Sequence, residues 1–167
     1  MAWQEQMSTI VRHIINDVDS TNYSFSDSRI ETSILVSAQL VDNEVVFSNT
    51  YSIDIDAREL SPDPTDSSTK DNSFINIVSL RAGCLILASE LKTQGFSAVR
   101  VSDGPSSIDM SKTMEGIKIL YDDVCAKYEE AKMQHKLDGS VGEAILSPYS
   151  PGANVVNGNY GHGGRYQ

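Results

Sequence analysis

Basic residues are scarce and scattered. The chain holds 13 Lys and Arg against 23 Asp and Glu, a formal charge of −10 at pH 7, and nowhere gathers its cations into a tract. A protein that grips nucleic acid by neutralising phosphates needs such a tract, so that class is disfavoured. A chain that lets DNA pass without holding it is not. Cysteine is nearly absent too. Cys84 and Cys125 both sit inside apolar helical patterns, where each reads as a small buried hydrophobe. A bridge between them is possible but not suggested, so a reducing compartment is expected. No apolar run approaches the ~20 residues of a membrane span. Met1 to Gln6 lacks the basic-then-apolar layout of a signal peptide. These absences predict a soluble protein made in a cytoplasm, with no membrane partner.

Catalytic chemistry also leaves little trace. His13, His135 and His162 fall on a first helix, on a last helix and in a glycine-rich tail, and none has metal-ligand spacing. No phosphate-binding loop, nucleophile elbow or CxxC pair occurs. Asp63, Asp66 and Asp71 lack the rhythm and terminal Glu of an EF-hand and read as solvated acids. No catalytic residue, cofactor or metal is expected.

What is present is helical periodicity. Met7, Ile10, Val11, Ile14, Ile15 and Val18 form one apolar stripe, and Asp19 to Asn22 should end that helix. A second helix is expected from about Asp27 to Leu40, opened by Ser26 or by a Ser28/Glu31 capping box, with Ile30, Ile34, Ala38 and Val41 inward. Val45, Phe47, Tyr51, Ile53 and Ile55 then alternate with polar residues, the period of a half-buried strand. Residues 61–73 read as a loop. A third helix, from about Phe74 to Thr93, is apolar on more than one face and should be the covered, central one, with Gly95 as its C-terminal stop. Ser97 to Ser102 alternates briefly, and Asp103-Gly104 marks a turn.

The fourth and longest helix is expected from about Met110 to Leu137. Met114, Ile117, Tyr121, Val124, Tyr128, Ala131 and His135 follow at spacings of 3, 4, 3, 4, 3 and 4, a seam along which one helix lies on another. After Asp138 the composition changes, and 7 of the 11 glycines lie between Gly139 and Gly164. Such a segment cannot build a core, yet it carries the apolar island Ala144-Ile145-Leu146-Ser147-Pro148-Tyr149. Residues 1–137 therefore read as a helical domain and 138–167 as an extended arm that orders on a partner. Ile145, Leu146, Pro148, Tyr149, Tyr160 and Tyr166 are its candidate contact residues, since tyrosine brings large area at low entropy cost.

A resemblance now enters. Helix, a second helix opened by Tyr23-Ser24-Phe25-Ser26-Asp27, an aromatic-rich strand, a Ser-Pro-Asp-Pro-Thr-Asp loop at 61–66 and an Ala-Gly-Cys-Leu-Ile-Leu helix at 82–87 follow one another. Then come Val-Ser-Asp-Gly-Pro-Ser-Ser-Ile-Asp at 101–109 and a Tyr-Glu-Glu-Ala-Lys helix at 128–132. Over about residues 7–137 this resembles the head-to-tail adaptor (connector, or head completion) proteins of tailed bacteriophages. The resemblance implies a small bundle of about four helices with a short β-hairpin or ribbon. It also implies a homo-oligomeric ring, typically a dodecamer, in the virion neck beneath the portal protein. Such a ring continues the tunnel for double-stranded DNA and docks the next neck or tail protein. It brings no catalytic residues. The rivals are a different neck protein, a terminator or stopper, and a non-viral helical scaffolding protein that binds through its tail.

Overall fold

The computed structural model describes residues 3–101 and 111–146, with side chains over 3–95 and 114–138. It is mainly α. The order among the described residues is α1 (Trp3–Ile14), α2 (Asp27–Asp42), β1 (Ser52–Asp54), β2 (Glu59–Ser61), α3 (Asn72–Val101) and α4 (Ser111–Leu146). The chain divides into two compact units, Met1–Lys132 and Met133–Gln167.

Helix α1 buries Trp3, Met7 and Val11, and Ile15 just past its end is buried with them. It stops at Ile14, short of the expected Asp19, and Val18 is 51% exposed instead of continuing the stripe. The cause is local. Asn16 takes a left-handed φ of 60°, a conformation asparagine tolerates better than most residues. The amides of Asn16 and Asp17 turn back to the carbonyls of His13 and Arg12 at 3.3 and 2.8 Å. That double closure satisfies the last carbonyls and ends the helix.

Helix α2 opens on Ser26, whose side chain accepts from the Arg29 amide, which decides between the two capping schemes. Its Ile30, Ile34, Ala38 and Val41 are fully buried, as their spacing predicts. The alternating stretch after it also faces as expected. Val45 and Tyr51 are buried, Phe47, Ile53 and Ile55 are half-buried, and the residues between them are mostly outward. Only three of its residues are strand, however, paired antiparallel as Ser52 with Ser61, Ile53 with Leu60 and Asp54 with Glu59. The turn closes with Arg58 at φ 56° and with Asp54 Oδ1 accepting from the Ala57 amide at 2.8 Å.

Helix α3 is the central element. Phe74, Ile75, Ile77, Val78, Ala82, Cys84, Ile86 and Leu87 are all buried; these positions span more than one helical face, so cover must come from several sides. Helices α1 and α2 supply part of it. Phe47 and Tyr51 supply more: their rings pack on Phe74 at 5.1 and 3.9 Å between centroids. By length and composition, Asn72–Gly95 is apolar enough to cross a membrane, against the expectation that no run approached that size; 56% of the apolar window is buried within the protein. Gly95 is no stop either, because α3 continues to Val101. The Asp103-Gly104 turn lies outside the described residues. At the other end α4 runs to Leu146, so the helix continues past the expected boundary at 137.

Gly83 sits in close packing. A Cβ built there would stand 2.7 Å from Ile14 Cγ2 and 3.4 Å from Val124 Cγ1. Ile14 is β-branched and cannot swing away cheaply. A methyl at Gly83 would gain about 1 kcal/mol of helix propensity and lose roughly 1–3 kcal/mol to overpacking. Gly83→Ala should therefore destabilise the fold by about 1 kcal/mol net. Gly116→Ala on α4, where nothing lies within 4 Å, should stabilise it by about 0.5–1 kcal/mol. Urea denaturation of the pair checks both signs, and an unchanged or stabilised Gly83→Ala protein would contradict the packing account.

Candidate interaction surface

The seam on α4 faces inward as its spacing predicts. Met114, Ile117 and Tyr121 are half-buried, while Val124 and Tyr128 are 3% and 1% exposed. Val124 reaches the neighbourhood of Gly83 and Ile14, so its cover comes from the same chain.

One turn further on, polar contacts fasten α4. The Tyr128 hydroxyl donates to Glu44 Oε2 at 2.9 Å, just after α2. Lys132 donates to the same oxygen at 2.8 Å and to Glu129 at 3.0 Å. The cations of Arg81 and Lys132 lie 5.1 and 4.9 Å from the centre of the Tyr128 ring. Burial, then the Glu44 carboxylate, pushes the Tyr128 phenol up to about 12. The Lys132 and Tyr128 hydrogen bonds hold Glu44 below the usual carboxylate range. The hydrogen bonds to Glu129 and Glu44 raise Lys132 above the ordinary lysine value. At neutral pH all three groups thus sit in the protonation state that the cluster needs.

A covalent contact completes the attachment and corrects the expectation of separate thiols. Cys84 of α3 and Cys125 of α4 are joined, with Cα atoms 5.3 Å apart, inside the range of a disulfide. Closing a loop over a separation of 41 residues restricts the unfolded chain by roughly 4 kcal/mol in the chain-entropy account. A bonded pair belongs to oxidising conditions. The sequence could have hinted at it only through the two cysteines lying on the helices that the seam brings together.

The loop acids, expected to be solvated, mostly hold backbone. Asp63 accepts from the Trp3 amide at 3.0 Å with one oxygen and from the Thr65 amide at 2.8 Å with the other. Asp66 accepts from the Ser68 amide. Asp71 caps α3 through the Phe74 amide at 2.9 Å and accepts the Tyr51 hydroxyl at 3.1 Å. Burial, opposed by Asn49, and the adjoining Asp71 leave that hydroxyl with a pKa of about 12. Among the described residues no three His, Cys, Asp or Glu groups stand close enough to hold a metal ion.

What remains for partners is the outer surface. On the first unit Ile119 of α4 is 64% exposed and Val46, after α2, is 91% exposed. On the second unit Met133 and Leu137 are exposed. Ile145 and Leu146 are the last residues of α4 rather than part of an extended segment, and their side chains lie outside those described. Pro148, Tyr149, Tyr160 and Tyr166 also lie outside the described residues. Comparison with protein-family models, curated proteins and solved structures returned no match.

The two faces of α4 should answer differently to a charge. Val124→Asp buries an unpaired carboxylate and should cost more than about 3 kcal/mol. Ile119→Asp should stay within about 0.5 kcal/mol of the parent. Circular dichroism through a thermal ramp separates them; equal melting temperatures would show that the seam is not a core.

Proposed function

We propose that this chain is a head-to-tail connector (adaptor) subunit of a tailed bacteriophage. It forms a ring beneath the portal, continues the DNA tunnel and docks the next neck or tail component. One observation carries the reading. The succession of two helices, a β-hairpin, a central apolar helix and a long final helix occurs in the order that the resemblance implies. The Ser-Pro-Asp-Pro-Thr-Asp loop joins the hairpin to the central helix in that order too.

Two further features support it. A closed ring needs a head-to-tail interface in which one patch meets a different one. Val46, in the segment after α2, and Ile119, on α4, are exposed apolar residues at different places on the first unit, so they offer unlike contact points. The charge of −10 suits a tunnel wall, since carboxylates facing phosphates keep DNA from adhering. Rings of this kind bind duplex DNA weakly even at low salt, because they have few cations with which to release counterions.

Electron cryo-microscopy of the purified chain mixed with its portal protein tests the reading. A closed ring, a dodecamer, seated on the portal is expected. A protein that stays monomeric at every concentration and leaves the portal bare would overturn it. So would tight duplex binding with a steep salt dependence.

A further inference from the structure

Helices α1 and α2 pack on α3 and on each other, and the core they enclose is nearly complete without α4. Among the described side chains 22 apolar residues are buried; 20 of them lie between Trp3 and Leu87, and α4 contributes the other two, Val124 and Tyr128. Leu120, Tyr121, Cys125 and Ala131 of its inner face are only half-buried against that core. A helix with so little apolar cover docks weakly, because each residue it orders loses conformational entropy that burial must offset.

Two fasteners add to that burial. One is polar: the Tyr128 hydroxyl and the Lys132 ammonium share Glu44 Oε2 at 2.9 and 2.8 Å. Lys132 and Glu44 both keep contact with solvent, where an ion pair contributes little. The other is covalent, between Cys84 of α3 and Cys125 of α4. These are the only two cysteines of the chain, so no third thiol competes for either. Cys125 follows Val124 directly, and the bond therefore pins α4 where its seam is most deeply buried. While the bond is closed, a lifted α4 stays tethered beside its seat and returns to it. Once it is open, only the short seam and the Glu44 contacts oppose departure.

We propose that the Cys84–Cys125 bond is a reversible redox latch, which a dithiol reductant opens to release α4 from a core of α1, α2 and α3 that stays folded. A thiolate of the reductant attacks one sulfur of the bond, forms a mixed disulfide and expels the other sulfur as a thiolate. The second thiol of the reductant then closes its own disulfide and expels the remaining protein sulfur. Two electrons and two protons pass from the dithiol to the protein, which is left with two cysteine thiols. Release uncovers the surface of α3 at Gly83, beside Ile14. In a reducing compartment α4 is free, and in an oxidising one it is fixed. The latch does not depend on the connector reading.

Hydrogen exchange of the full chain, read by mass spectrometry with and without excess dithiothreitol, tests it. In the bonded protein the amides of residues 121–128 should exchange within about tenfold of those at 30–41 and 77–82, since both sets wait for global unfolding. After reduction the α4 amides should run at least about a hundredfold ahead of the same core amides, through a local opening that the core does not share. Cys84→Ala/Cys125→Ala should show the reduced pattern with no reductant present. Oxidised glutathione should return the reduced parent, and not the variant, to the bonded pattern. Equal pace of α4 and core in both states would overturn the proposal, by making the bond a staple of one cooperative unit. So would an α4 that already outruns the core while bonded, or a bond that survives dithiothreitol until the chain is denatured.

Discussion

A helix that is apolar on several faces must be covered on several sides, and α3 imposes that demand on the rest of the chain. Its buried residues, Phe74 to Leu87, are met by α1 and α2, by the aromatic pair Phe47 and Tyr51, and by the seam of α4 near Val124. Burying an aliphatic or aromatic side chain is worth roughly 1.5–3 kcal/mol each, so this covering outweighs any single polar contact. Gly83 is where the demand is sharpest, because α1 and α4 approach α3 at one point and leave no room for a methyl.

Polar groups then fix how the covering elements meet. Arg12, only 5% exposed, joins the end of α1 to the start of α2 through Asp17, the Phe25 carbonyl and Asp27. Asp17 returns the favour to the loop by accepting from the Ser24 amide at 2.8 Å. A buried ion pair gains little against a hydrophobic substitute, yet losing one partner is costly. Its use here is geometric, since it sets the angle at which α2 leaves α1. Glu44, Tyr128 and Lys132 do the same for α4, and the Cys84–Cys125 bond ties α4 to α3. An acidic chain thus spends several of its carboxylates on its own backbone and cations.

Periodicity made the large elements legible. The stripe of Ile30, Ile34, Ala38 and Val41, the alternation from Val45 to Ile55 and the seam through Val124 and Tyr128 are repeated patterns, and each turned its apolar side inward. Element ends were less legible because they depend on single residues in context. Asn16 stops α1 by adopting a left-handed conformation, whereas Gly95, a better stop by type, lies inside α3. Long-range pairing was not legible at all. Nothing in local spacing says that Asp63 will accept from the amide of Trp3, that Tyr51 will reach Asp71 or that two cysteines will meet.

The surface left after α3 is covered is what the chain presents to others, and the connector reading draws on it. It assumes that the apolar length of α3 is satisfied inside the protein and not by a lipid or a partner. Hydrogen exchange of the full chain in aqueous buffer, read by mass spectrometry, tests that assumption directly. Amides of residues 77–87 should exchange slowest, through global unfolding, and at least about a thousandfold slower than those of the hairpin at 52–61. Exchange of 77–87 at the rate of the hairpin would mean that α3 is not covered by its own chain.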